Sequence, residues 1–297
     1  MITSDNDIAR RPADVTFGKV IPFLAIAFGL AWGVFVLIVV FPEPMTRLFG
    51  PISATNPLFF LAVYSPALAA FALVIHAGGL SGLRRYLGRL ILWRAPLPWL
   101  VWVLVGIPVV YAFAAFLQGG LLEAEFAFAT FGALMGAISF MLILGPVEEF
   151  GWRGVLQPLL QRRVAPVWAG LIVGLIWGIW HLPAFLLSGT PQSGWDFAPF
   201  LIGATAVAVI LTPFFNASGG SILWPALYHF QLNNPLWPDA QPVDMYLFVI
   251  VAVVVVWINR DTMFSREAGV TEVIPGPVSR SVSGVGRPGP GGPDPTV

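Results

Sequence analysis

Six polar residues in this chain combine types and spacings that suit hydrolysis. Two adjacent carboxylates stand in the run Gly145-Pro146-Val147-Glu148-Glu149-Phe150-Gly151-Trp152-Arg153-Gly154. On a helix, residues four apart share a face, so Glu149 pairs with Arg153, while Glu148 is rotated off that face and left free for proton chemistry. A second base candidate is His181, in Trp177-Gly178-Ile179-Trp180-His181-Leu182-Pro183, where Pro183 loosens the helix beside it. In Tyr228-His229-Phe230-Gln231-Leu232-Asn233, His229 and Asn233 are again four apart and can point hydrogen-bond donors at one atom, which suits a developing oxyanion. Each group also has a plainer reading. Glu148 and Glu149 could be solvated loop residues if a span ended at Val147, His181 could be a packing residue, and His229 with Asn233 could bond neighbouring helices.

The composition says where these residues must work. Of 297 residues, 57% are apolar and only 10% are charged, against about a quarter charged in soluble domains. The chain is therefore expected in a membrane, as an all-α bundle of about eight transmembrane helices around a polar catalytic cavity. Lys plus Arg and Asp plus Glu number 15 each, so there is no basic field and no nucleic-acid partner is expected. The chain has no Cys, which excludes thiol nucleophiles, thiolate metal sites and disulfides.

A helix needs about 20 apolar residues to cross the hydrocarbon core. Runs long enough or nearly so cover 20–41, 58–75, 97–117, 126–147, 164–187 and 197–215, with two weaker ones at 221–236 and 245–258. Basic residues favour cytoplasmic loops, and eight crossings with both termini in the cytoplasm put nearly all of them on that side. Arg10, Arg11 and Lys19 precede the first span; Arg84, Arg85, Arg89 and Arg94 follow the second; Arg162 and Arg163 follow the fourth; Arg260 and Arg266 follow the last. Only Arg47 falls opposite, where Glu43, Glu123, Glu125, Asp196 and Asp239 lie. The organisation expected is a cytoplasmic N-terminal tail over 1–19, a polytopic membrane domain over 20–260, and a disordered Pro/Gly-rich tail over 261–297 in a multi-pass protein of the cell membrane. Residues 80–93 mix arginines with leucines and read as an amphipathic helix on the cytoplasmic surface.

The spans position the chemistry by depth. If the fourth helix runs on to Leu160, the turn falls at Arg162, Arg163 and Pro166. Glu148 and Glu149 then lie about as far back from that turn as His181 lies beyond it, roughly 25 Å at the helical rise per residue. An antiparallel hairpin brings the three side chains level. Other ways of cutting peptides in membranes fit less well. No His is followed by the Glu-x-x-His of zinc proteases, every Asp falls in a loop or tail, and Ser218 and Ser221, which could partner His229, sit in a turn between spans six and seven.

Taken in order on successive membrane helices, Glu148-Glu149-x-x-x-Arg153, the aromatic-x-x-x-His run ending at His181, and His229-x-x-x-Asn233 resemble the CPBP family. That family comprises type II CAAX prenyl endopeptidases, bacteriocin-processing and self-immunity proteins, and lysostaphin-resistance proteins. The resemblance covers residues 131–245, and it departs at position 177, where Trp stands in place of the usual Phe. An aromatic wall is kept, so a changed pocket shape rather than lost chemistry is expected. The resemblance implies an intramembrane endopeptidase that acts on a membrane-associated or lipidated peptide or protein in the lipid bilayer. Glu148 and His181 would activate water, Glu149 and Arg153 would support them, and His229 with Asn233 would hold the oxyanion. Glu148, His181 and His229 could in principle ligate zinc, but Asn is a poor zinc ligand and these residues suffice without it, so no cofactor is expected. Two other classes compete. A proton-coupled transporter would use the same Glu, Arg and His as a relay, with little use for Asn233, and a non-catalytic membrane scaffold or immunity protein would tolerate loss of Glu148.

Overall fold

The computed structural model describes residues 13–51, 53, 55–120 and 130–276. The sequence features at Arg10, Arg11, Glu123 and Glu125, the start of the fourth span at 126–129, and the tail beyond 276 lie outside the described residues.

Every described element is helical. The chain opens with α1 (Val20–Val40), a short α2 (Pro42–Phe49) and the long α3 (Pro57–Leu87). Next come α4 (Leu97–Val101), which passes through a widened π turn into α5 (Ile107–Leu117), and then α6 (Phe131–Leu144). Past Gly145 the chain continues through a tight turn into α7 (Glu149–Gly151), a π turn over Trp152–Leu156 and α8 (Gln157–Gln161). The remainder is α9 (Pro166–Trp180), α10 (Leu182–Leu186), α11 (Phe197–Ala217), α12 (Leu223–Leu232), α13 (Val243–Ile258) and α14 (Arg260–Met263). Among the described residues, six helical stretches are long and apolar enough to cross a membrane: Phe17–Val40, Pro57–Ile91, Leu97–Leu117, Phe131–Gln161, Pro166–Leu186 and Phe197–Ala217. Their outer faces carry exposed Val36, Leu104, Phe113, Ile202 and Trp168, apolar surface that water would penalise and lipid accepts. The chain is a multi-pass helical membrane protein.

The seventh expected span is a correction. Instead of a crossing over 221–236, α12 has ten residues, about 15 Å at the helical rise, and cannot cross alone. It stops at Asn233, and irregular backbone follows to α13, which has 16 residues. Non-helical backbone at membrane depth is tolerated where it lines a cavity, and Asn233, Asn234, Pro235, Trp237 and Gln241 do line one. A helix, a cavity-lining loop and a returning helix thus stand where two full spans were expected.

Helices approach closely where side chains are absent. Gly170, Gly174 and Gly178 form a stripe on α9, and a Cβ at Gly174 would lie 2.6 Å from the Thr205 backbone of α11. Small residues at this spacing let two membrane helices pack backbone to backbone, which substitutes for the hydrophobic drive that lipid removes. Gly151 similarly meets the backbone of Pro66 on α3, so the carboxylate-bearing turn is pressed into the bundle rather than left at its rim.

Both described ends of the chain meet at one end of the bundle. Asp14 pairs with Arg162 at 2.5 Å and its Oδ1 accepts the Ile274 N–H at 2.9 Å. Segment 261–276, expected as part of a disordered tail, is instead packed: Met263, Val273 and Ile274 are buried, and Gln161 and Arg162 donate to the carbonyls of Val270 and Thr271. The amphipathic segment after the second span is present beyond a break at Gly79, whose φ of 61° suits glycine. Arg89 is not on its surface, however. It is buried and donates to the carbonyls of Gly154, Gly220 and Val273, stacked between Tyr86 and Phe215.

Candidate active site

The turn after α6 delivers both carboxylates into the protein. Pro146 cannot donate to the helix ladder, and the chain tightens over Pro146–Glu148 before resuming at Glu149. Glu148, Glu149 and Arg153 are 4%, 1% and 0% exposed, so the solvated-loop reading of the pair does not hold. The π turn at Trp152–Leu156 then shifts the helix register and leaves carbonyls without ladder partners. Tyr86 donates to the Phe150 carbonyl and Arg89 to that of Gly154, which holds the widened turn from the α3 side.

The two carboxylates have different partners, as their helical phase requires. Glu149 Oε1 accepts from Arg153 Nη1 at 3.0 Å and from His229 Nδ1 at 2.8 Å. Glu148 makes no ion pair among the described residues; its Oε2 accepts indole N–H groups from Trp177 at 2.8 Å and Trp152 at 3.3 Å. Indoles donate without carrying charge, so they orient the carboxylate and leave its charge uncompensated by a fixed cation. The Trp at position 177 is therefore more than an aromatic wall. It supplies a hydrogen bond that Phe cannot.

His181 ends α9, and the helix restarts at Leu182, so the ring projects from a break rather than from a regular turn. Its Nδ1 lies 2.8 Å from the Trp177 carbonyl. A carbonyl only accepts, so the proton sits on Nδ1 and Nε2 keeps its lone pair, the form that a general base needs. The rings of Trp177, Trp180 and Phe200 surround it at 5.4, 4.8 and 5.2 Å between centroids. Trp177 touches the Glu148 carboxylate, the His181 ring and the His229 ring, and thereby sets the spacing of the group.

His229 lies on α12, and Asn233 is the first residue past its end. The N–H of Asn233 still bonds the His229 carbonyl at 3.2 Å, which keeps the two side chains on one side as their spacing suggests. Their polar ends converge beside Gly145. A Cβ there would lie 2.9 Å from His229 Nε2 and would also clash with Asn233 Nδ2. The missing side chain of Gly145 makes the space in which two donors can meet one oxygen. His229 Nδ1–H is held by Glu149, so Nε2 is the atom that faces the space beside Gly145, and it donates when the ring is an imidazolium.

Glu148, His181, His229 and Asn233 all line one cavity of about 460 Å³, whose other walls come from α1, α3, α6, α11 and the loop after α12. Arg153 and Glu149 stand behind this surface, with the guanidinium 5.2 Å from the Trp177 ring centre. Ser218 and Ser221 are buried in the turn between α11 and α12 and do not line the cavity, and His76 is exposed on α3. Among the described residues no three His, Asp or Glu side chains converge to hold a metal ion. The hydrogen bonds at Nδ1 leave Nε2 of both His181 and His229 open, and with Glu148 these are the atoms that would hold a metal.

Gly145 and Trp152 are site residues to which the sequence assigned no role, and Trp177 was expected only as an aromatic wall. The Gly-Pro step at 145–146 before paired carboxylates is the signal that could have drawn attention to Gly145.

Residues 130–234 match the sequence model of a family described as Rce1-like, type II CAAX prenyl endopeptidases. The chain is 23% identical over 141 residues to CAAX prenyl protease 2 from Methanococcus maripaludis, over 43% of this chain and 52% of that protein. It thus spans about half the length of the curated relative that it matches. The resemblance to the CPBP family drawn from the three motifs is borne out, and the matched stretch takes in every residue from Glu148 to Asn233 discussed above.

Proposed function

We propose that this chain, with a type II CAAX prenyl endopeptidase-like segment at its centre, is an intramembrane endopeptidase that hydrolyses peptide bonds of membrane-associated or lipidated substrates. Glu148 and His181 Nε2 are the groups that take a proton from water as its oxygen attacks the scissile carbonyl carbon. The new C–O bond places negative charge on the carbonyl oxygen, and Asn233 Nδ2–H with His229 Nε2–H receives it beside Gly145. On collapse the C–N bond breaks, and the proton held by Glu148 or His181 passes to the leaving amine. Glu149 holds the His229 imidazolium and the Arg153 guanidinium. With Glu148 ionised, these four side chains sum to zero charge, which lowers the cost of burying them.

The observation that carries this reading is the convergence of an indole-held carboxylate, a His with its Nε2 lone pair free, and two donors beside Gly145 on one cavity. A relay for transported protons has no use for the Asn233 amide at Gly145. The chemistry requires no metal or other cofactor. The end of the bundle at which Asp14 and Ile274 meet, rich in Arg84, Arg85, Arg162 and Arg266, is placed in the cytoplasm of the cell by the preference of basic loops for that side.

The test is incubation of purified protein with a library of plain and lipidated peptides, with products read by mass spectrometry. Wild type is expected to cut and Glu148→Ala is not, and wild-type cutting is expected to survive thorough chelation. Loss on chelation that stoichiometric zinc restores would overturn the metal-free mechanism, and equal cutting by Glu148→Ala would overturn the assignment of the base.

A further inference from the structure

The end of the cavity away from the chain termini has a chemistry that peptide hydrolysis does not explain. The cavity lining includes Asp239 and Asp244 but no Lys or Arg. Asp239 is engaged, accepting from the Trp195 indole at 2.9 Å and from the Gln241 N–H at 3.3 Å. Asp244 is not. It is 2% exposed, its Oδ1 accepts only the adjacent Met245 N–H at 2.9 Å, and Oδ2 has no protein partner among the described residues. Gln192 and Gln241 line the same cavity, and their side-chain oxygens are buried with no hydrogen-bond partner among the described residues. Neither aspartate makes an ion pair with a described Lys, Arg or His.

A carboxylate in the first turn of α13 stabilises the helix start, but that role works equally well from the solvated face. Burying an ionised carboxylate beside further acceptors carries a cost that a proton or a cation relieves, because acceptors cannot satisfy one another. The position of this end relative to the reaction follows from the intervening rings. Phe200 lies 5.2 Å from His181 and 6.3 Å from Trp195, whose indole holds Asp239. This run of rings joins His181 to Asp239, and Asp244 lines the same cavity.

We propose that Asp244, on the cavity that Gln241 and Gln192 also line, forms a subsite for a basic side chain of the substrate. This rests on the endopeptidase reading above and adds to it a preference for Lys or Arg at one substrate position. An ammonium or guanidinium brings only donors, which is what Asp244 and the two glutamine oxygens lack.

The test uses the full chain in nanodiscs of uncharged lipid with peptides that carry Lys, norleucine or Glu at each successive position around the cut. At one position Lys is expected to exceed norleucine in kcat/KM by about tenfold, the worth of one charge-assisted hydrogen bond. In Asp244→Asn, which keeps an oxygen for the Met245 N–H, that ratio is expected to fall to within about twofold. Gln241→Leu, which leaves α13 intact, is expected to lower it as well, and it serves if Asp244→Asn does not fold. Cutting with no preference for Lys at any position, or a preference unchanged in both variants, overturns the subsite. If no peptide is cut, the endopeptidase reading fails, and equilibrium binding of the same peptides decides the subsite. Tighter binding of the Lys peptide that depends on Asp244 supports it, and equal binding of Lys and norleucine peptides overturns it.

Discussion

Replacing Trp177 by Phe isolates one hydrogen bond at the centre of the site. The indole donates to Glu148 Oε2 at 2.8 Å and faces the His181 and His229 rings at 5.4 Å each. Phe keeps an aromatic ring against both histidines and loses the donor. The other indole on Glu148, from Trp152, is longer at 3.3 Å and leaves the carboxylate freer to turn. A hydrogen bond to a charged group is worth about 1.5–3 kcal/mol, so kcat/KM is expected to fall roughly 10- to 100-fold. The fall should appear in kcat, because the contact orients a reacting group rather than the substrate. Shrinking the ring also costs packing, so the thermal midpoint of the purified variant must be measured alongside the rate of peptide cleavage. The control is Trp180→Phe. That indole donates to the Ala27 carbonyl at 3.3 Å and packs on His181 without touching Glu148. A Trp177→Phe enzyme within twofold of wild type, or one no slower than Trp180→Phe, would refute the claim that the indole holds the base.

Three further outcomes are expected. Gly145→Ala should reduce cleavage at least about a hundredfold, because the new Cβ enters the space shared by Asn233 and His229; the same clash strains the packing around buried His229, so the thermal midpoint should fall modestly while the fold persists, which thermal unfolding would check. Asn233→Ala should lower kcat by about 100- to 1000-fold with little change in peptide binding, as expected for a donor that acts on the transition state, measured by pairing steady-state kinetics with equilibrium binding. Arg89→Leu should cost at least about 3 kcal/mol of stability by leaving the carbonyls of Gly154, Gly220 and Val273 without their donor, and Arg89→Lys should recover little because one ammonium cannot span them; a thermal shift in detergent reads both.

The long spans were legible because an apolar run of sufficient length has one stable answer in lipid. The pairing of Glu149 with Arg153 was legible because residues four apart on a helix must meet. Helical depth likewise brought Glu148 and His181 to one cavity. What escaped the sequence depends on contacts between distant segments. Nothing local marks Arg89 as buried, since its partners come from the π turn, the α11–α12 turn and the C-terminal segment. Segment 261–276 is poor in apolar residues, yet Val273 and Ile274 anchor it, and Asp14, Gln161, Arg162 and Asn216 bond its backbone. The shortness of α12 followed from Asn233 ending the helix and the cavity accepting irregular backbone, neither of which hydropathy measures. Trp177 was read by its apolar body, which conceals the N–H that matters.

The division of labour between adjacent carboxylates is tested most directly by comparing Glu148→Gln and Glu149→Gln in the same preparation, with peptide cleavage and thermal unfolding read together. Glu148→Gln keeps an oxygen for the indoles, so it is expected to unfold near the wild-type temperature and to cut nothing. Glu149→Gln removes the charge that holds Arg153 and His229, and it is expected to lose stability and cleavage together. A Glu148→Gln protein that retains full cleavage, beside a Glu149→Gln protein that is stable but inactive, would contradict the account.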